Sequence, residues 1–168
     1  MRFIIYGAGA IGGTIGARLH LAGSDVLLIA RGAHHDAIKR DGLRYRSPLE
    51  DRTLTIAVAS HPREIDFRPD DVVILTMKSQ HTAAALNDLA ACAPVDVPVI
   101  CCQNGVANES MAARRFRRVY AMVVQLPATH MQAGEVLHHA AAIGGILDAG
   151  CFPTGTDPRV LFHSLHCL

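Results

Sequence analysis

Gly7, Gly9 and Gly12 stand at the spacing G-x-G-x-x-G, directly after the apolar run "RFIIY" (2–6) and ahead of a helical pattern through Ile11, Ile15, Leu19 and Ala22. Each glycine meets a different demand of an anion site at a strand-to-helix turn. The first permits a tight turn, the second lets backbone amides close on a pyrophosphate, and the third lets the helix lie close on the strand. Gly16 extends that side-chain-free face by one more turn. The helix N-terminus supplies unpaired N–H groups and a partial positive charge. A glycine motif alone is weak evidence. Here it sits in the strand, turn, helix and strand context that dinucleotide binding requires, so Gly7, Ala8, Gly9, Ala10, Ile11 and Gly12 are read as a dinucleotide-binding turn.

The second strand, "VLLIA" (26–30), ends at Arg31 with no carboxylate at its tip, and Asp25 lies at its opposite end. An NAD site places Asp or Glu there to accept from the ribose 2′-hydroxyl, whereas an arginine fork suits a 2′-phosphate. The expected cofactor is therefore NADP(H); the alternative is a solvated surface arginine. Two more polar groups follow later strands: Lys78 after "VVILTM", and Gln103-Asn104-Gly105 after "VPVICC". Ligands of open α/β sheets bind at the carboxyl ends of the strands, which puts the glycine turn, Arg31, Lys78 and Asn104 on one edge. Lys78 could face a phosphate or a carbonyl oxygen, and Asn104 offers donor and acceptor where nicotinamide and substrate meet. Their plainer readings are a solvated lysine and an Asn-Gly turn.

The elements that position these residues alternate along the chain. Core strands are expected at 2–6, 26–30, 70–78, 97–102 and 118–126, with helices over 10–22, from Gln80 to about Cys92, and from the "QNG" segment to about Phe116. "GLRYRS" and "TLTIAVAS" read as two edge strands, and residues 128–147 as shorter strands joined at Gly134 and at Gly144-Gly145. This predicts an α/β fold: a doubly wound, mostly parallel, Rossmann-like sheet with extra short strands at its C-terminal end. From Asp148 to Arg159 the sequence is turn chemistry, and Asp157-Pro158 suits the start of a helix bearing Leu161, Leu165 and Leu168. That short apolar stripe reads either as a connector, with residues 159–168 offering a homodimer or partner-chain contact, or as a tail docked on the sheet.

With 168 residues, net charge +1 and 18% charged residues, the chain has room for one well-buried domain and shows no electrostatic case for nucleic acid or an acidic membrane. No leader or membrane-spanning pattern occurs, and a cytoplasmic protein is expected. Five cysteines without a CxxC pair argue against a disulfide framework or a zinc ribbon. Cys101 and Cys102 should face opposite sides of their strand. The adjacent pairs His34-His35 and His138-His139 should diverge likewise, and His163-x-x-His166-Cys167 has metal-like spacing only if helical; no metal is expected. His130 reads as a hydrogen-bonded structural histidine in preference to a substrate-edge residue.

"IIYGAGAIG", "IARG", "TMKSQHT", "QNGV" and a THxxxG…GGILD tail occur in that order, and over residues 1–148 the chain resembles the N-terminal domain of the ketopantoate reductase (2-dehydropantoate 2-reductase) family. The resemblance implies NADPH-dependent reduction of a small-molecule 2-keto acid to a 2-hydroxy acid. It assigns the pyrophosphate to Gly7, Gly9 and Gly12, the 2′-phosphate to Arg31, the cofactor side of the cleft to Lys78, and the nicotinamide and substrate region to Asn104. Lys78 and Asn104 are thus the candidate catalytic-edge residues. In that family an all-helical C-terminal domain closes the cleft and carries the essential acid. The expectation is an NADP-binding domain over 1–148, a loop and connector over 149–168, no helical domain, and a chain catalytically incomplete alone. The alternative is a stand-alone NADP(H)-binding or redox-sensing module that docks a partner.

Overall fold

A computed structural model of the chain describes residues 1–141 and 144–154. Its centre is a seven-stranded sheet: β1 (Arg2–Tyr6), β2 (Asp25–Ile29), β5 (Ala57–Ala59), β6 (Asp71–Leu75), β7 (Val99–Cys101), β8 (Val119–Gln125) and β11 (Ile146–Cys151). The spatial order is β11-β8-β7-β6-β1-β2-β5. All neighbours are parallel except β11, which runs antiparallel to β8. The chain moves outward one way from β1 through β2 and the other way from β6 through β7, so the boundary between β1 and β6 is the topological switch point.

Strands buried on both faces must read as continuous apolar runs, and β1 and β6 do. Alternate residues serve different cores. Ile5, Ile74, Ile100 and Cys102 face one core with Ile15 of helix α1 (Ala10–Leu21). Ile4, Val73, Val99 and Cys101 face the other with Leu86 and Leu89 of α3 (Thr82–Ala90) and Phe116, which follows α4 (Asn108–Ala113). Each fully buried aliphatic side chain contributes about 1.5–3 kcal/mol. The adjacent Cys101 and Cys102 thus lie on opposite faces, and burial pushes both thiols up to about 12.

A second sheet, ordered β4-β3-β10-β9, is built from β3 (Leu43–Arg46), β4 (Asp51–Leu54), β9 (Ala128–Thr129) and β10 (Glu135–His138). It covers the outer side of α1, where a Cβ on Gly13 would stand 2.6 Å from a Val136 methyl carbon. The helix is held between two sheets, with Gly16 close to Leu28 on the inner side. Helix α2 (Gly32–Asp41) runs between β2 and this second sheet.

Two expectations are corrected. "TLTIAVAS" is not one edge strand. β4 pairs antiparallel with β3, and β5 pairs parallel with β2 in the central sheet, with buried Ile56 at the crossing between them. A period-2 pattern states that one face is buried but not which sheet receives it. The extra short strands expected near the C-terminal end are β9, β10 and β11, and β3 falls inside "GLRYRS" as read from the sequence. β11 continues to Cys151, past the expected turn at Asp148, since an antiparallel ladder to β8 needs only backbone groups. The expected connector helix, its Leu161, Leu165 and Leu168 stripe, the 159–168 contact and the His163/His166/Cys167 spacing lie outside the described residues. Among the described residues no helix is long and apolar enough to cross a membrane.

Candidate dinucleotide-binding cleft

The carboxyl ends of β1, β2 and β6 open on a cleft of about 680 Å³ lined by Gly7, Ala8, Gly9, Ala10 and Ile11 and by Arg31 and Lys78, together with His34, Thr76, His81 and His130. It lies at the switch point, where open α/β sheets bind ligands.

The glycine turn is shaped by three separate constraints. Gly7 has φ of +110°, and a Cβ there would sit 2.8 Å from the Met77 amide nitrogen. A Cβ on Gly12 would sit 2.3 Å from both the Gly7 carbonyl oxygen and Thr76 Oγ1, so that glycine is buried beneath the cleft as a spacer between helix and strands. Gly9 is different. Its φ is −71°, open to any residue, and nothing lies within 4 Å of an added Cβ. The fold itself does not require glycine at position 9. By helix geometry the amides of Ala10, Ile11 and Gly12 have no intrahelical acceptor. No side chain caps α1, and its first turn holds no acidic residue. An uncapped 12-residue helix facing a cleft fits an anionic ligand.

Two side chains lock this turn. Thr76, at the end of β6, donates its hydroxyl to the Gly7 carbonyl at 2.7 Å. His34, on α2, accepts the Gly134 N–H at Nδ1 (2.9 Å), so its proton sits on Nε2, which donates to the Ala8 carbonyl at 2.6 Å. Burial, more than the neighbouring His130, holds the His34 imidazole below its ordinary value, and the ring is neutral at pH 7. Its ring centroid lies 4.2 Å from that of His130, whose Nδ1 bonds the Glu135 carbonyl at 2.9 Å. His130 is therefore hydrogen-bonded, as expected, and also lines the cleft. The adjacent pairs diverge: His35 meets Asp36 at 2.9 Å, while buried His138 bonds the Tyr45 hydroxyl at 3.0 Å and His139 bonds Thr129 at 3.0 Å.

Arg31 reaches the cleft rim, where Nη2 donates to the Tyr6 hydroxyl at 3.3 Å and stands 3.7 Å from Asp88. The Lys78 ammonium, at the opposite lip, has no hydrogen bond or ion pair among the described residues. Asn104 lies on the same sheet edge but lines a neighbouring hollow of about 600 Å³ with Gln103, Glu109, Met122 and Asp148. Ser79, next to Lys78, bridges the two spaces by donating to the Asn104 carbonyl at 2.8 Å. Beneath this bridge, Gln103 donates to the Met77 carbonyl and to Thr82 Oγ1, both at 2.8 Å, and Thr82 donates to Asn108 at 2.9 Å. The structure thus brings the glycine turn, Arg31 and Lys78 together and sets Asn104 one loop away. Thr76, His34 and the Gln103/Thr82/Asn108 network were missed by sequence reasoning. A threonine after a strand was their only local signal, because each acts on a partner 21 or more residues away. Among the described residues no three His, Cys, Asp or Glu side chains are placed to hold a metal ion.

The family described as ketopantoate reductase PanE/ApbA matches residues 3–153. The 2-dehydropantoate 2-reductase of Pyrococcus horikoshii is 41% identical over 160 residues, covering 95% of this chain and 50% of that protein. The crystal structure of 2-dehydropantoate 2-reductase from Geobacter metallireducens GS-15 superposes with a TM-score of 0.83 at 30% identity, covering 95% of this chain and 52% of that one. A ternary complex of D-mandelate dehydrogenase with NADH and anilino(oxo)acetate superposes with a TM-score of 0.82 at 25% identity, covering 92% and 50%. The chain spans about half the length of each of these relatives. A match across nearly all of the described residues, on a sheet whose switch point carries this cleft, shows that the chain belongs to the ketopantoate reductase family.

Proposed function

We propose that the chain forms the NADP(H)-binding half of an oxidoreductase that reduces a 2-keto acid, such as 2-dehydropantoate, to the 2-hydroxy acid. Gly9 carries this reading: the backbone there tolerates any residue, so a missing side chain serves whatever lies above the turn, and a pyrophosphate fits the uncapped amides beside it. The names of the relatives support the substrate class, and the NADH complex of the D-mandelate dehydrogenase supports a nicotinamide cofactor. Arg31 supports a 2′-phosphate, with no carboxylate at the end of β2 to accept from a 2′-hydroxyl. The nucleotide-binding domain runs through β11 to Cys151, three residues past the expected boundary at Asp148, and the chain after it is assigned as a connector. Buried Cys101 and Cys102 thiols suit a reducing cytoplasm.

The bound cofactor supplies the hydride. The chain's own residues bind and orient: the amides of Ala10, Ile11 and Gly12 hold the pyrophosphate, Arg31 the 2′-phosphate, Lys78 the cofactor side of the cleft, and Asn104 the nicotinamide and keto-acid edge. A ketone receiving hydride becomes an alkoxide that needs a proton donor. That donor is assigned to the half of the relatives that this chain does not span, so the chain alone binds dinucleotide and turns over little.

Fluorescence titration with NADPH and NADH tests the assignment. A charge-assisted bond contributes about 1.5–3 kcal/mol, so Arg31→Ala weakens NADPH roughly 10- to 150-fold and leaves NADH unchanged. Equal NADPH affinity in the variant rejects the role of Arg31. Rapid NADPH oxidation with 2-dehydropantoate by this chain alone rejects the half-site.

A further inference from the structure

We propose that Asp88 is a specificity-determining residue of the cleft: its carboxylate competes with a 2′-phosphate for the Arg31 guanidinium and so holds down the preference for the 2′-phosphorylated dinucleotide over the unphosphorylated one. The inference rests on the reading of Arg31 given above. Asp88 lies on α3, three residues beyond Ala85, which lines the cleft. Its carboxylate is 3.7 Å from Arg31 Nη2, the same nitrogen that donates to the Tyr6 hydroxyl. The tip of Arg31 therefore meets two oxygens before any ligand arrives.

The third group at this point leaves the charge of Asp88 in place. His61 accepts at Nδ1 from the Arg63 backbone N–H and from Arg63 Nε, each at 3.1 Å, so a neutral ring carries its proton on Nε2, 3.4 Å from Asp88. Arg31 and Asp88 together present no net charge to the cleft rim. A 2′-phosphate approaching Arg31 must displace the carboxylate or sit beside it, like charge against like charge. A 2′-hydroxyl is neutral, meets no such repulsion and can donate to a carboxylate. Both side chains are open to solvent, at 58% for Arg31 and 38% for Asp88, so screening keeps the effect moderate.

Nicotinamide-fluorescence titration of the full chain with NADPH and with NADH tests the proposal, using wild type, Asp88→Asn, Asp88→Ser and Arg31→Ala, with circular dichroism verifying each fold. Asp88→Asn and Asp88→Ser are expected to bind NADPH about three- to tenfold more tightly and NADH no more tightly, a gain that shrinks as salt is raised. Unchanged NADPH affinity in both variants overturns the proposal. Weakened NADPH affinity overturns it as well, since Asp88 would then be steadying Arg31. If Arg31→Ala loses the NADPH preference while the Asp88 variants match wild type, only the present inference fails. If Arg31→Ala matches wild type, or wild type binds neither dinucleotide, the reading of the cleft fails and this inference with it.

Discussion

The two edges of the central sheet treat their polar groups in opposite ways. At the amino edge three charge pairs close on each other: buried Arg2 forms a two-pronged contact with Asp71 at 2.7 and 2.8 Å, the N-terminal amine meets Asp70 at 2.8 Å, and Arg68 meets Asp25 at 3.0 Å. At the carboxyl edge the Lys78 ammonium has no partner among the described residues and α1 begins without a side-chain cap. Both edges are made by the same strands, so the contrast does not come from the fold. The closed pairs at the amino edge add stability, while the open donors at the carboxyl edge suit the proposed ligand, with Arg31, held by Asp88 and Tyr6, standing between the two cases.

Breaking the closed edge has the largest expected effect. Asp71→Ala leaves the Arg2 guanidinium buried and unpaired, which destabilises the chain by about 3–5 kcal/mol. Urea denaturation reads that loss, while NADPH affinity of the folded fraction stays at the wild-type value. The open edge behaves in reverse. Gly9→Val puts a side chain into the space proposed for the pyrophosphate and changes folding stability by about 1 kcal/mol or less, yet NADPH binding is expected to fall at least about a hundredfold, or 2.7 kcal/mol. Wild-type binding by this variant would show that the space above Gly9 has no occupant.

A smaller effect separates the two halves of the carboxyl edge. Thr82→Val removes the hydroxyl that joins Gln103 to Asn108, leaving a buried acceptor unmatched for about 2 kcal/mol of stability. The Lys78 and Asn104 loops loosen, so NADPH affinity drops a few-fold, whereas 2′,5′-ADP, which lacks the nicotinamide end, binds as before. Isothermal titration with both ligands reads the difference. The smallest effect belongs to His34. The unfolded imidazole takes up a proton near its ordinary 6.5 and the folded one only below that, so stability is complete above pH 6.5 and declines as pH falls through that window. His34→Gln should flatten that decline in melting temperature; an unchanged slope would place its origin elsewhere.

Local chemistry was readable in the sequence. The order of strands and helices, the glycine turn, Arg31 at the tip of β2 and the opposed thiols of Cys101 and Cys102 all follow from nearest neighbours and periodicity. What escaped depends on separation along the chain. Tyr45 and His138 pair across 93 residues, and His34 meets Gly134 across 100. No residue type announces such a partner. The split of "TLTIAVAS" between two sheets has the same cause, because alternation is satisfied equally by either neighbour. Gln103 was noticed only as part of a turn, yet it is buried and tied to Thr82, so the candidate substrate edge rests on an amide network with no motif of its own.

The packing of Val136 against Gly13 also orders events during synthesis. The glycine turn leaves the ribosome before the strand that carries Val136, which comes about 120 residues later. Until then α1 has its inner sheet and, on its back, β3 without the neighbouring β10. A fragment ending at Gln125 would contain every residue of the turn without the Val136 half of its brace, and contacts this distant in sequence form late and slowly. A nascent chain should therefore acquire its grip on a dinucleotide only after His138 has emerged.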